Sequence, residues 1–459
     1  MPLKPSDIQK KLPDGGKKNC KECGFPTCLA FAMKLISGGV SLEKCPYLDP
    51  EVKEWIIDAI TPPIRLVSVG TGERMLTVGE EEVVHRHEKT FLRPPGLAVL
   101  ISDIETDQAI NAKLKRLDEY EFTWVTFNLR ADLVVLKFES GSKERYLSVV
   151  AGVAREKRPM VLMCEDLEVL FAARDLVAEQ KPLLYPLTSA NLEEALPGLK
   201  KKVVPVAVRG QNLEEVVAVT TKLRAAGVSE IMIDTSPQNL KESLRDYTLI
   251  RRAALRHTFR PLGYPIISFL PLKAEDAAQE ALLAAALVIK YASVIVLSDL
   301  DKETLFPLLV HRLNIYTDPR VPLAVEEKVY EIGAPNEVSP VVLTTNFALT
   351  YFAVASGVEA SKIPGYLGVK GTDGLCVLAA WSTGKFAGET IGPFIKNSGL
   401  EGKLKKKRLI IPGLAARIKG EIEDELPGWE IIVGPKEAEE LPAFMPKLFA
   451  KWKEAEGGT

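Results

Sequence analysis

Histidine is nearly absent from this chain: four residues in 459, at His85, His87, His257 and His311. Beyond His311 the chain therefore has no imidazole to offer a metal or a proton transfer. Cysteine is also scarce, with six residues, too few for a disulfide-built fold of this length. No apolar run is long; Ala281 to Val288 is typical, and it is far short of a bilayer span. Charge of one sign is missing as well. The 59 Lys and Arg against 61 Asp and Glu leave a net −2, which gives no reason to expect nucleic acid. The opening MPLKPSDIQKKLP lacks the apolar core of an export signal, so a reducing cytoplasm is expected, with no membrane. What remains is a globular composition, 46% apolar and 26% charged, with room for about three domains at ~150 residues each.

Four of the six cysteines crowd one stretch, Asn19 to Leu48: Cys20, Cys23, Cys28 and Cys45, in the pattern C-x2-C-x4-C-x16-C. An apolar run at helical spacing (Leu29, Phe31, Ala32, Leu35, Ile36) follows Cys28 and ends at Gly38-Gly39. Cys28 is thus expected at a helix N-terminus, where the macrodipole favours an anionic thiolate. Gly24 allows a tight turn between ligands, and Pro46 directly after Cys45 matches the Cys-Pro ending of ferredoxin runs. A tight triplet with a distal fourth cysteine predicts a [4Fe-4S] cluster. Four-cysteine zinc, which usually comes as two short knuckles, and paired disulfides are the alternatives.

Five segments are expected. Residues 1–60 form the cluster module, and 61–92 a linker with a β-hairpin around Gly70-Thr71-Gly72, to which Val83 to Phe91 adds a strand carrying His85 and His87 on one face. Two imidazoles do not make a metal site, and a surface pair is the plainer reading. Residues 93–316 alternate short β-branched runs with amphipathic stretches. The strands expected are Leu97–Ile101, Phe122–Phe127, Met160–Met163, Leu183–Leu187, Val203–Val208, Ile231–Asp234, Ile266–Leu270 and Val294–Leu297, with helices such as Ala274–Tyr291 between them. That alternation predicts a (β/α)8 TIM-like barrel, with a doubly wound open sheet as alternative. Leu133–Phe138 is an extra run, strand or loop helix.

At the strand ends stand Asp103, Asn128, Glu165, Asp166, Asp234 and Asp299, with no lysine or histidine partner at matching ends. They read as structural, and Asp166 and Asp299 as helix N-caps. Cys164 reads as a buried core residue. The barrel is expected to be a platform, with no catalytic side chain.

Thr317 to Pro340 is proline-rich and reads as a linker. Residues 341–459 then resume strand–helix alternation and predict a small doubly wound (Rossmann-like) α/β domain. Its hydroxyls and glycines fall just after strands, at Thr344-Thr345-Asn346, Gly371-Thr372-Asp373-Gly374-Leu375 and Gly434-Pro435. Loops at the carboxyl ends of parallel strands are where such sheets hold ligands. Cys376, next to the second loop, reads as packing, and Lys403 to Arg408 as a solvated edge.

The cysteine segment, TTNFALTYFAVASGVE and VKGTDGLCVLAAWSTGKFAGE together resemble the large-subunit family of the corrinoid iron–sulfur protein, related to the gamma subunits of archaeal acetyl-CoA decarbonylase/synthase complexes. The resemblance covers the whole chain. It implies a base-off corrinoid of the cobalamin type in the C-terminal domain, near Thr344, Thr345, Asn346, Gly371, Thr372, Asp373, Gly374, Leu375 and Gly434, with the [4Fe-4S] cluster on Cys20, Cys23, Cys28 and Cys45. It also implies a methyl carrier of the reductive acetyl-CoA pathway. Co(I) would take a methyl group from methyltetrahydrofolate through a separate methyltransferase, and methyl-Co(III) would pass it to acetyl-CoA synthase. The cluster would return leaked Co(II) to Co(I). The implied partners are a small subunit, that methyltransferase, acetyl-CoA synthase/CO dehydrogenase and a reductive activator. The absence of histidine agrees, since a cobalt without a strong lower ligand is easier to reduce. Two other readings stand: an iron–sulfur electron-transfer protein without corrinoid, and a barrel methyltransferase acting directly on a pterin. The cluster module is expected to move on a flexible tether.

Overall fold

The computed structural model describes residues 4–125, 127–270, 276–318 and 320–457. The chain divides into two compact units, the first comprising Met1–Phe122 and Leu129–Thr317, the second Thr123–Asn128 and Asp318–Thr459.

The first unit begins with helices Pro5–Gln9, Cys28–Ile36 and Pro50–Ile60. They share a core of Ile8, Leu12, Phe31, Ala32, Leu35, Leu42, Leu48 and Ile56, in which each buried large side chain contributes about 1.5–3 kcal/mol. The chain is then pinned: Arg260 Nη1 donates to the carbonyls of Thr61 and Pro62 at 2.9 and 3.0 Å. The expected hairpin is present, Val67–Val69 antiparallel to Leu76–Val78. Its Val67, Val69 and Val78 enter the barrel interior. The Gly70 amide donates to Lys181 O and the Arg65 amide to Gly263 O, both just ahead of barrel strands, so the hairpin stoppers the N-terminal mouth.

Among the described residues eight parallel strands close into a barrel, in chain order Gly96–Ser102, Leu133–Lys137, Met160–Met163, Leu183–Leu187, Val206–Arg209, Ile231–Asp234, Ile266–Phe269 and Ala292–Leu297. The last pairs with the first through Val294 and Gly96. Alternate residues such as Ala98, Val135, Val161, Tyr185, Met232 and Phe269 fill the interior. A strand buried on both faces reads as a continuous apolar run. That rule identifies the second strand as Leu133–Lys137, the run set aside as extra. The segment Phe122–Phe127 is no barrel strand. Phe122–Trp124 and Phe127–Leu129 make a separate two-stranded pair, with Thr126 outside the described residues. Its alternating, half-exposed residues cannot line a core covered on both sides.

Two further expectations differ. Val83 to Phe91 forms turns, not a strand. Side-chain anchors hold it there: Glu81 accepts from the Leu92 and Arg93 amides and pairs with buried Arg251, and Arg86 donates to the carbonyls of Asn314, Ile315 and Thr317. The predicted helix Ala274–Tyr291 runs Ala277–Ile289, capped by Asp276, and residues 274 and 275 lie outside the described residues.

In the second unit five strands form one sheet in the order Lys328–Ile332, Gly365–Lys370, Val341–Thr345, Arg408–Ile411, Glu430–Val433. The first is antiparallel and the rest are parallel. Residues 317–340 are therefore more than a linker, since they supply the sheet's edge strand, whose charged Lys328 and Glu331 suit an edge; Pro319 of this stretch lies outside the described residues. Val341, Leu343, Leu409, Ile411 and Ile431 pack on one face with Val377, Ile391, Ile395 and Ile422. Val342, Leu367, Val369 and Ile410 pack on the other with Val354, Val358, Leu441 and Met445. Helices thus cover both faces. The connections diverge between Val341–Thr345 and Arg408–Ile411, the switch point at which such sheets open a crevice. Among the described residues no helix is long and apolar enough to cross a membrane.

Candidate cofactor sites

Local backbone chemistry builds the cysteine segment. Asn19, Lys21 and Gly24 adopt positive φ of 43°, 66° and 84°, coiling the chain so that Cys20 and Cys23 turn inward. A Cβ on Gly24 would meet nothing within 4 Å, so its conformation, not space, calls for glycine. Cys28 opens the helix Cys28–Ile36 as expected, with Thr27 capping through the Ala30 amide at 3.1 Å. The Cys28 amide donates to Asn19 Oδ1 at 2.8 Å. Cys45 closes the turn Leu42–Lys44, with 16 residues between it and the triplet.

All four thiols are free, half-buried and line one small cavity with Phe25, Phe31, Lys18 and Tyr47. Among the described residues no group of three or more His, Cys, Asp or Glu side chains is arranged to hold a single metal ion; the cysteines ring a space rather than meet at a point. Burial pushes the Cys45 thiol above its ordinary pKa, and repulsion from Cys23, Cys20 and Cys28 adds to it, against a backbone hydrogen bond from Tyr47. A cation or cluster in that space would reverse the balance by favouring thiolates.

The second unit carries a cavity of about 340 Å³ at its switch point. Its walls come from the ends of Val341–Thr345 and Arg408–Ile411, from helices Ala348–Ala360 and Val377–Ser382, and from Gly434 to Glu437. Of the residues singled out in the sequence, Thr344 and Gly434 line it. Gly434 lies there because a Cβ would meet Ile410 Cγ2 at 2.9 Å and Ile411 O at 3.1 Å. The buried hydroxyls of Thr344 and Thr345 have no hydrogen-bond partner. Thr345, Asn346, Gly371, Thr372, Asp373, Gly374 and Leu375 are not in the lining.

They form a brace beside it. Asn346 Oδ1 accepts from the Thr372 amide (2.9 Å), the Thr372 hydroxyl (3.0 Å) and the Gly374 amide (2.9 Å), while its amide donates to Val325 O. Asp373 and Gly374 turn through φ of 55° and 73°, and Asp373 pairs with Lys385. A Cβ on Gly371 would strike Glu327 Oε2 at 2.2 Å.

Sequence reading missed Leu349, Leu378, Leu414 and Cys376 as cavity walls. The three leucines are exposed at 71%, 49% and 38%, an apolar rim around the opening. The available signal was ALTYFAVASGVEA, a helix apolar on nearly every side that must be covered by something. Cys376 is exposed on the cavity wall rather than packed in a core.

At the barrel's C-terminal end the candidate carboxylates are structural. Asp103 is 2% exposed and fixes the loop at Glu139 and Ser140 through three accepted bonds. Asp166 is the expected N-cap. Asp299 is not a cap: it chelates Arg116, and Asp301 caps the next helix. Asp234 accepts from Tyr185 and Ser236, and Glu165 pairs with Arg209. Asn128 falls in the second unit and is not at a barrel strand end. Cys164 is buried, which pushes its thiol up to about 12. His85 and His87 stack at 5.5 Å, and among the described residues they belong to no metal-holding group.

Residues 66–445 match the family described as CO dehydrogenase/acetyl-CoA synthase delta subunit. Residues 16–47 match one described as "Putative Fe-S cluster". The chain is 42% identical to the corrinoid/iron-sulfur protein large subunit of Moorella thermoacetica, over 97% of this chain and 98% of that protein. It is 34% identical to the acetyl-CoA decarbonylase/synthase complex subunit gamma of Archaeoglobus fulgidus, over 96% and 98%. The same identity holds to the gamma subunit of Methanothermobacter thermautotrophicus, over 98% and 99%. With similarity running end to end, the chain belongs to the family of corrinoid/iron-sulfur protein large subunits and acetyl-CoA decarbonylase/synthase gamma subunits.

Proposed function

We propose that this chain is the large subunit of a methyl carrier, holding a corrinoid in its second unit and a [4Fe-4S] cluster on Cys20, Cys23, Cys28 and Cys45. The observation that carries the reading is the apolar cavity at the switch point, with its unpartnered Thr344 hydroxyl and leucine rim. A corrinoid held there supplies a cobalt that takes a methyl group from methyltetrahydrofolate, by way of a methyltransferase, and gives it to acetyl-CoA synthase.

The chain's own residues bind and orient. Thr344 and Gly434 form the cavity wall, and Leu349, Leu378 and Leu414 exclude water from the bound face. The brace of Asn346, Gly371, Thr372, Asp373, Gly374 and Leu375 keeps Thr344 and Thr345 in place from behind. The second unit has no histidine, so it would offer a bound corrinoid no imidazole ligand, which would make its cobalt easier to reduce. Four thiolates around one space fit an iron–sulfur cluster, and the partly buried setting suits low-potential electron delivery. The apolar rim is the surface on which the small subunit of the heterodimer would close. The other partners are the methyltransferase, acetyl-CoA synthase/CO dehydrogenase and a reductive activator, in a reducing cytoplasm.

The test is metal analysis with an absorption spectrum on anaerobically purified protein, co-expressed with the small subunit. About one cobalt and four irons per chain, with a corrinoid spectrum that shifts on methylation, is the expected result. Iron without cobalt after corrinoid reconstitution would leave a plain electron-transfer protein. Methyl transfer from the pterin by this chain alone would instead make the barrel the enzyme.

A further inference from the structure

The distal cysteine has a fastening of its own. Cys45 lies on an arm, and two residues along it Tyr47 reaches back to the cysteine triplet. The Tyr47 hydroxyl donates to Glu22 Oε1 at 2.7 Å, and Glu22 lies between Cys20 and Cys23. The Lys18 ammonium stands 3.2 Å from the centre of the Tyr47 ring, on the other side of Cys20. Lys18 and Tyr47 both line the four-cysteine cavity. The triplet itself is tied separately, by the Asn19 bond to the Cys28 amide.

We propose that Tyr47, clasped by Glu22 and Lys18, is the positioning residue that keeps Cys45 on the fourth iron of the cluster. The inference rests on the cluster reading above. Leu42 and Leu48 anchor the two ends of the arm in the core, but between them only Cys45 is partly buried, and Tyr47 makes the arm's one described side-chain hydrogen bond to the triplet loop. When the clasp opens, Cys45 swings away and the iron it holds becomes the labile corner. That iron leaves as Fe(II) to a chelator, the [4Fe-4S]2+ cluster becoming a neutral [3Fe-4S] core. No electron is transferred, and the Cys45 thiolate is released.

The experiment follows iron loss from the holoprotein, anaerobically, in the presence of an Fe(II) chelator, by absorbance and by Mössbauer spectroscopy. Tyr47→Phe removes the bond to Glu22 and is expected to release the first iron about fivefold faster than wild type. Tyr47→Leu also removes the ring under Lys18 and is expected to release it tenfold faster or more. Glu22→Gln keeps an acceptor for the hydroxyl and should restore a rate near wild type, whereas Glu22→Ala should match Tyr47→Phe. The remaining three irons should leave at an unchanged rate and the unfolding midpoint should not move, which separates positioning from general destabilisation. Wild-type rates in Tyr47→Leu, or equal acceleration of all four irons, would overturn the proposal. Wild-type protein that takes up no iron, or a single zinc, would instead defeat the cluster reading on which it stands.

Discussion

Replacing Asn346 with alanine tests whether the loop behind the cavity is held by one carboxamide. Asn346 is 9% exposed and its Oδ1 is the shared acceptor for the amides of Thr372 and Gly374 and for the Thr372 hydroxyl. Removing it strands two amides beside a residue, Thr372, that is itself fully buried. Each orphaned donor costs about 1–3 kcal/mol, and water entering the vacated space relieves part of that, so the loop should lose about 2–4 kcal/mol. The left-handed conformation of Asp373 loses its support at the same time. A chain of several domains does not unfold in one step, so the assay is amide hydrogen exchange on peptides covering 371–375. At 1.4 kcal/mol per decade, exchange there should speed up about 30- to 1,000-fold, with barrel peptides unchanged. Asn346→Asp keeps the acceptor and should stay within about tenfold of wild type, losing only the weak donation to Val325 O. Exchange in Asn346→Ala within about twofold of wild type would refute the brace, because two stranded amides cannot be that cheap.

Gly434→Val should weaken cobalamin binding by about tenfold or more in an absorbance titration, since its side chain has no room against Ile410 and Ile411. Cys45→Ser should lower iron content toward about three per chain and change the charge-transfer absorption to that of a three-iron core while leaving corrinoid uptake intact, because the two sites lie in different units. In the native protein at pH 8, iodoacetamide should label exposed Cys376 and spare Cys164. Burial raises the Cys164 thiol from 9.0 to about 12, so its contribution to stability is complete below pH 9.0 and drains away between there and about 12. A Cys164→Ala variant should therefore lose less stability on going from pH 8 to pH 11 than wild type does. Equal losses would mean the thiol titrates normally.

The sequence disclosed whatever depends on neighbours in the chain. The eight-membered alternation, the cysteine spacing, Cys28 at its helix start and the 67–78 hairpin are local patterns, and the fold keeps them. The two candidates for the second barrel strand, Phe122–Phe127 and Leu133–Phe138, differ in whether apolarity alternates or runs on, and a doubly covered strand demands the latter. The strand expected at Val83–Phe91 gives way to turns held by Arg86 and Glu81, whose bonds to Ile315 and Arg251 reach more than 150 residues along the chain. The same distance effect hid the cavity. Leu349, Leu378 and Leu414 meet only because the sheet's connections diverge at the switch point. Asn346 and Thr372 had the right residue types for ligand contact, and the same donors and acceptors served equally well to bind each other.

The pinning of Thr61 and Pro62 by Arg260 sets the leash on the cysteine module. Ile56 belongs to the module's core, so only residues 57–60 separate what can travel from what is bolted to the barrel. Fully drawn out, such a stretch spans about 13–14 Å, and drawing it out means unwinding the end of helix Pro50–Ile60. If the proposed electron transfer has the module swing on this tether, the module would search a small volume, and its effective concentration at any target within reach would be high. Each residue added between Ile57 and Ile60 would then widen that volume and dilute the encounter, so under the proposed function the length of this one helix end would set how often an electron is offered.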